Sequence, residues 1–226
     1  VPLALKIILL VLLSPLIIAL FIPVLILHTL ARIVRKFWHF PMPEFMAPLI
    51  DNKYRHQYIQ PPDEMAIRHG LMPGMQVLEI GPGNATYTIA SSKRVGPKGK
   101  ITAIDIEPKM IERVKKRLSA DGITNVEAKV ADVYALPFPD ESFDLCYMMM
   151  VIGEIPDPRK AVREIHRVLK PGGLLTFTEI LVDPDYPLKS TLIRRFTPLG
   201  FKVKEIKGGF VHYTIIFQSL RDGLSS

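Results

Sequence analysis

The chain of 226 residues has one cysteine, Cys146. Neither a disulfide framework nor a cysteine-based zinc site can be built within it, in agreement with a reducing compartment. Cys146 lies in an apolar run and reads as a small core residue. No clustered ligand pattern of metal-binding spacing occurs, so no metal is expected. Internal repeats and low-complexity tracts are also absent. The net charge is +7, yet there is no basic motif interleaved with aromatics and no zinc-finger spacing, so nucleic acid is not an expected partner. Cations such as Arg113, Lys115, Lys116 and Arg117 read as a solvated helix face.

Charge is missing altogether from residues 7–30, where Leu, Ile and Val dominate. At ~1.5 Å per residue, a helix of that length would cross a hydrocarbon core of ~30 Å with some tilt. Pro15 and Pro23 would kink it, which membrane helices tolerate. A cleaved signal peptide, a monotopic hairpin bending near Ser14-Pro15 and a buried core helix are the alternatives. The run is long for a signal peptide, no small-x-small site follows, and it is too uniformly apolar for a soluble helix. Arg32, Arg35 and Lys36 follow, then Phe37-Trp38-His39-Phe40. The cations predict a single-pass membrane protein with its following domain in the cytoplasm, and the aromatics suit the headgroup level. The positive net charge fits contact with anionic membrane lipids. Three regions are therefore expected: an anchor helix with its basic flank over residues 1–36, a juxtamembrane segment over 37–73, and a folded domain over 74–226.

The folded domain is organised around residues 77–85. An apolar run ending at Ile80 reads as a strand buried on both faces. It stops at Gly81-Pro82-Gly83, a turn too tight for most side chains, and a helix can begin from Asn84. A ligand can there lie against bare backbone and the positive end of a helix. A second strand, over 100–106, carries Asp105 near its end. That carboxylate lies about twenty residues beyond the glycines, where it can accept hydrogen bonds from ribose hydroxyls. A third strand over 126–130 leads to Ala131-Asp132, and Leu136-Pro137-Phe138 leads to Phe143-Asp144 and a fourth strand. A helix capped by Asp157 is expected to end at Lys170-Pro171-Gly172-Gly173, before a fifth strand over 174–181. A last helix over 190–199 and strands over 201–206 and 212–217, joined at Gly208-Gly209, complete the pattern. His166 falls inside a helix and reads as structural.

This ordered series, over residues 74–217, resembles the class I S-adenosylmethionine-dependent methyltransferases, in particular the small-molecule, lipid and quinone branch. Ala85 stands where many members carry a third glycine; alanine is small enough for close helix packing. The resemblance implies an α/β, Rossmann-like, doubly wound and mostly parallel sheet of seven strands, here preceded by the transmembrane helix. It implies S-adenosyl-L-methionine as cofactor. Glu79, Gly81, Gly83 and Asn84 would cradle it from the glycine turn, and Asp105 and Ile106 would hold it from the second strand. The Asp132 carboxylate would meet the adenine amino group, the Val133 N–H a ring nitrogen, and Met149 the reactive end. Asp132 also reads as a turn-forming residue at a strand end.

No dedicated catalytic residue stands out. In the resembling family the segment before the first strand covers the cofactor and shapes the acceptor pocket; Tyr54, His56 and Tyr58 are the candidates here, a surface loop being the alternative. Relatives carry a His-His-Ile/Leu-Pro-Asp pattern after the fourth strand. This chain has Gly153-Glu154-Ile155-Pro156-Asp157, so that histidine's role has no carrier. Glu154 could steer a cationic or amine group, or be an exposed loop carboxylate. The expected activity is methyl transfer to a small lipophilic acceptor, such as a phospholipid amine head group or an isoprenoid quinone. Two rivals share part of the pattern. In an NAD-dependent Rossmann oxidoreductase, Asp132 and the Leu136-Pro137-Phe138 series would be coincidental. A non-catalytic cofactor-binding scaffold at the membrane would keep every motif.

Overall fold

The computed structural model describes residues 52–220 throughout, together with Ser14, Pro15, Ala19, Ile22, Ile26, Thr29, Leu30, Arg32, Ile33 and Val34, all helical. The chain divides into two compact units, Val1–Phe40 and Pro41–Ser226. Most of the apolar run expected to span a membrane lies outside the described residues. Among the described residues no helix is long and apolar enough to cross one, so the span receives no support from the fold.

The second unit opens with a π-helical turn, Arg55–Ile59. Next comes α1 (Pro62–Arg68), which has proline at its first position and is closed by Gly70 at φ +87°. The helix α1 leads into β1 (Gln76–Ile80), α2 (Thr86–Val95), β2 (Lys100–Asp105), α3 (Pro108–Ala120) and β3 (Val126–Val130). Then follow β4 (Phe143–Met149), α4 (Pro158–Val168), β5 (Leu169–Ile180), α5 (Lys189–Phe196), β6 (Phe201–Gly208) and β7 (His212–Ser219). The seven strands form one sheet in the order β3-β2-β1-β4-β5-β7-β6. All neighbours are parallel except β7, which runs antiparallel between β5 and β6. The expected seven-stranded, mostly parallel α/β sheet is thus found.

Strand alternation divides the core in two. Val77, Ile101, Leu145 and Tyr147 face α1 and α2, and Ala128 faces the apolar stripe of α3 (Ile111, Val114, Leu118). Leu78, Ile80, Ile104, Cys146 and Met148 face the other way, toward Val162, Ile165 and Val168 of α4 and Leu192 and Phe196 of α5. Burying both faces explains why β1, β2 and β4 read as unbroken apolar runs rather than as alternation. Burial likewise pushes the Cys146 thiol pKa up, leaving an inert core residue.

Two motifs act as structural brackets. Arg167 donates to the carbonyls of Leu136 and Phe138 and pairs with Asp140 and Glu164, pinning the turn before β4. Asp144 accepts from the Gln76 N–H at 2.8 Å and from Lys170 Nζ at 2.6 Å, tying the start of β1 to β4 and β5. One expectation shifts: Lys170-Pro171-Gly172-Gly173 does not end α4 but lies inside β5. The β4–β5 register slips there, with Phe143 opposite Leu169 and Leu145 opposite Leu174. Gly172, at φ +70°, turns the extra residues out as a bulge.

Candidate cofactor and acceptor site

The sheet reverses winding direction between β1 and β4, since β2 and β3 are laid down on one side and β5 on the other. In such sheets the ligand crevice lies beyond the carboxyl ends of the strands at this point. Ile80, Asp105, Val130 and Met149 end there.

The turn after β1 is shaped for close approach. Gly81 has φ +73° and Gly83 φ +53°, and a Cβ on Gly81 would stand 2.5 Å from Val151 Cγ2. The Gly81 N–H donates to the Ile104 carbonyl at 2.9 Å, fixing the turn on β2. Ala85 then adopts φ +62° and is fully buried against α3. Its small side chain does more than permit packing, because it occupies a backbone conformation that favours glycine. Met150, just past β4, is likewise left-handed at φ +58°, its N–H donating to the Thr178 carbonyl at 3.0 Å. Left-handed backbone thus stands at both rims of one crevice, the kind of place where functional sites cluster.

Two carboxylates project from neighbouring strand ends. Asp105 Oδ1 accepts from the Glu107 N–H at 2.9 Å, and Asp132 Oδ1 from the Tyr134 N–H at 2.8 Å. Each closes its own turn with one oxygen, so the second is the one available to a ligand. Partial burial raises the Asp105 pKa, with the Glu107 charge adding to the rise and the backbone N–H groups opposing it. Ile106 is 70% exposed beside Asp105, an apolar face on the crevice rim. Val133 and Met149 are half-buried, while Asn84 is exposed, its carbonyl accepting from Arg117 Nη1 at 2.6 Å.

Glu79 lies beneath the turn. It is 3% exposed and sits opposite Tyr147 in the β1–β4 register. Its Oε2, Thr88 Oγ1 and Tyr147 Oη lack a hydrogen-bond partner of regular geometry. Burial raises the Glu79 pKa to about 7, only partly offset by the Thr88 and Tyr147 hydroxyls nearby. Behind them His69 stacks on Tyr147 at 4.8 Å. Burial first, then the charges of Arg68, Lys207 and His212, push its pKa down to about 3, so it is neutral.

The segment before α1 reaches this turn. Gln60 is fully buried, with its carbonyl accepting from Tyr87 Oη at 3.2 Å and its Oε1 from Arg55 Nε at 2.6 Å. His56 meets the Tyr87 ring edge-on at 5.7 Å. Tyr87 stands in the first turn of α2, directly after the glycines. Of the three candidates in this segment, only His56 is therefore carried to the cofactor turn. Tyr54 and Tyr58 pair with each other at 5.1 Å and are each 65% exposed.

On the acceptor side, Glu154 is half-buried in the loop after β4. A Cβ on Gly153 would lie 2.1 Å from the Asp185 carbonyl oxygen, so the loops after β4 and β5 are in direct contact. Glu179, at the end of β5, is fully buried with neither carboxyl oxygen hydrogen-bonded. Burial, then the charges of Asp183, Glu154 and Asp185, push its pKa well above the ordinary value. The isolation of Glu79 and the burial of Glu179 are not evident from the sequence, where the available signal is a carboxylate interrupting an apolar strand. An open cavity of about 960 Å³, lined by Gln76, Lys100 and Val126, lies at the other end of the strands and takes no part in this site. Among the described residues no group of His, Cys, Asp and Glu could hold a metal.

Residues 78–177 match the methyltransferase domain family. The demethylmenaquinone methyltransferase of Geobacillus stearothermophilus is 34% identical over 112 residues, covering 50% of this chain and 48% of that protein. The ubiquinone/menaquinone biosynthesis C-methyltransferase UbiE of Hydrogenovibrio crunogenus is 38% identical over 111 residues, covering 49% and 44%. The chain spans about half the length of these relatives. A crystal structure of an S-adenosylmethionine-dependent methyltransferase from Aquifex aeolicus shares the fold, with TM-score 0.73 and 23% identity over 79% of this chain and all of that one. The [4+2]-cyclase SpnF shares it as well, with TM-score 0.63 and 19% identity over 75% and 84%. The bare Gly81 turn, the carboxylates at the ends of β2 and β3 and the orphaned Glu79 oxygen fit a nucleoside carrying a cationic tail. Residues 78–177 thus match a methyltransferase domain, and the fold together with these relatives implies S-adenosylmethionine as the cofactor.

Proposed function

We propose that the chain transfers a methyl group from S-adenosylmethionine to a lipid-soluble acceptor at a membrane surface. An isoprenoid quinone ring carbon is the first acceptor class and a phospholipid amine head group the second. The observation that carries this is the named activity of the relatives, a demethylmenaquinone methyltransferase and a ubiquinone/menaquinone biosynthesis C-methyltransferase, 34% and 38% identical over about half of this chain. The charge-free run over residues 7–30 supports a membrane setting with the domain on the cytoplasmic side.

Bound S-adenosylmethionine supplies an already activated methyl group. The chain's residues supply placement. Asp105 and Asp132 orient the nucleoside through ribose and adenine, and Gly81 and Gly83 admit the tail against bare backbone. Met149, at the end of β4, stands at the reactive end, where an acceptor held in line at near-attack distance gains effective molarity. The segment carrying His56 covers the turn and keeps water out. Glu154 lies on the acceptor side.

A second reading, a scaffold or an enzyme of other chemistry, is favoured by one observation: a [4+2]-cyclase has this fold. Membranes carrying the protein are incubated with methyl-labelled cofactor, and lipids, quinones and proteins are then separated. Label in quinone or phospholipid is the expected result. Cofactor binding without label in any fraction would favour the scaffold.

A further inference from the structure

Apolar side chains gather at one exposed corner of the sheet. Phe210 and Val211 occupy the turn between β6 and β7 and are 61% and 59% exposed. Val182 and Leu188, in the loop after β5, are 68% and 49% exposed. The two turns form one tip. The Leu181 N–H donates to the Val211 carbonyl at 2.7 Å, Tyr186 Oη donates to the Phe210 carbonyl, and the Tyr186 and Phe210 rings meet at 6.2 Å. Tyr186 is itself buried, so the tip is braced from below and presents its apolar groups outward.

Cations surround it. Lys189 Nζ donates to the Gly209 carbonyl at 3.2 Å, and Lys207 Nζ to the Arg68 carbonyl at 3.4 Å. A Cβ on Gly208 would lie 2.9 Å from Arg68 Nη2, which brings that guanidinium to the hairpin. Of the acidic groups nearby, Glu205 pairs with Lys207 at 3.2 Å, Asp183 is buried, and Asp185 is half-buried against Gly153, on the crevice side of the loop.

We propose that this tip docks on an anionic lipid bilayer, with Phe210, Val211, Val182 and Leu188 entering the headgroup boundary and Arg68 and Lys189 meeting lipid phosphates. Four side chains expose on the order of a few hundred Å², the size of a functional patch. A stable protein–protein interface needs about 800 Å² per partner, more than they offer. Apolar side chains flanked by amines suit the interface of a bilayer with anionic lipid, as does a chain of net charge +7. The loop bearing Val182 and Leu188 also rests on Gly153, so docking would set the acceptor side of the crevice against the lipid. The surface is independent of which acceptor is methylated and of whether residues 7–30 span.

The test uses the full chain with its single tryptophan replaced, Trp38→Phe, and a reporter introduced as Phe210→Trp. It is mixed with, or reconstituted into, vesicles of phosphatidylcholine and phosphatidylglycerol, with and without bromine on the acyl chains. Expected are emission at shorter wavelength and loss of most fluorescence in brominated vesicles. A second reporter, Lys98→Trp at the far end of the sheet, should stay bright in both. Emission typical of water at position 210 would overturn the proposal. So would short-wavelength emission that bromine does not quench, which would mean that another part of the chain or a second copy covers the tip.

Discussion

Gly81 and Val151 close on one another across the β1 and β4 turns, so that a Cβ on the first would stand 2.5 Å from Cγ2 of the second. Gly81→Ala adds that clash to an unfavourable φ of +73°. Left-handed backbone costs an L-residue roughly 1–2 kcal/mol and overpacking about 1–3, so urea unfolding should show a loss of about 2–5 kcal/mol. Adding Val151→Ala should recover the packing part but not the backbone part. Cofactor affinity should fall in both variants, because the new methyl also occupies the ligand's approach. Full recovery of stability and affinity in the double variant would mean that the bare backbone serves packing alone.

Asp105 has one oxygen in its own turn and one available to a ligand. Asp105→Asn keeps an acceptor for the Glu107 N–H, so its stability should stay near that of the parent. Its cofactor affinity should still drop, because a charge-assisted contact becomes a neutral one. Asp105→Ala should lose on the order of 2–3 kcal/mol of cofactor binding. Calorimetric titration with S-adenosylmethionine on both variants measures this. Unchanged affinity in folded Asp105→Ala would remove the residue from the site.

Glu79 links stability to pH. Its folded pKa is raised from 4.5 to about 7, so the folded state holds a proton that the unfolded chain releases. Stability is unaffected below about pH 4.5, declines as pH rises to about 7, and then levels off. The full cost is about 3 kcal/mol at 1.36 kcal/mol per pKa unit. Glu79→Gln should therefore flatten the profile, its stability measured against the parent being greater at pH 8 than at pH 5. Parallel profiles for parent and variant would show that Glu79 ionises no differently when folded.

Much of the site was legible because its signals are local. The strand ends bearing Asp105 and Asp132 follow from apolar runs of limited length, and Gly81-Pro82-Gly83 announces its turn by composition. What was illegible depends on tertiary contact. Ala85 and Met150 carry no mark of a left-handed backbone; neighbours seen only in the fold impose it. Lys170-Pro171-Gly172-Gly173 has the residues of a helix stop, but Asp144 holds Lys170 and the sheet takes the segment as a bulge. Glu79 and Glu179 look like ordinary strand carboxylates until burial on both faces removes their water. Tyr54, His56 and Tyr58 share one spacing, yet the π-helical turn sends only His56 to the cofactor side.

That separation gives the last prediction two opposed signatures. The chain's first compact unit ends at Phe40, and the segment carrying His56 belongs to the second. If the acceptor is a membrane lipid, tethering through the first unit raises the domain's effective concentration at the bilayer. Deleting residues 1–40 should then leave S-adenosylmethionine affinity nearly intact and sharply reduce methylation of bilayer-embedded quinone or phospholipid. Turnover of a short-chain, water-soluble acceptor analogue should suffer much less. His56→Ala should behave differently: the ring leaves Tyr87 and loosens the cover over the glycine turn, so both acceptors lose turnover together. Tyr54→Ala and Tyr58→Ala, whose rings face solvent, should lose less than His56→Ala. Label-transfer rates on the two acceptors, side by side, separate tethering from pocket chemistry. Bilayer activity untouched by the deletion would take the main support from a lipid acceptor and turn the search to soluble ones.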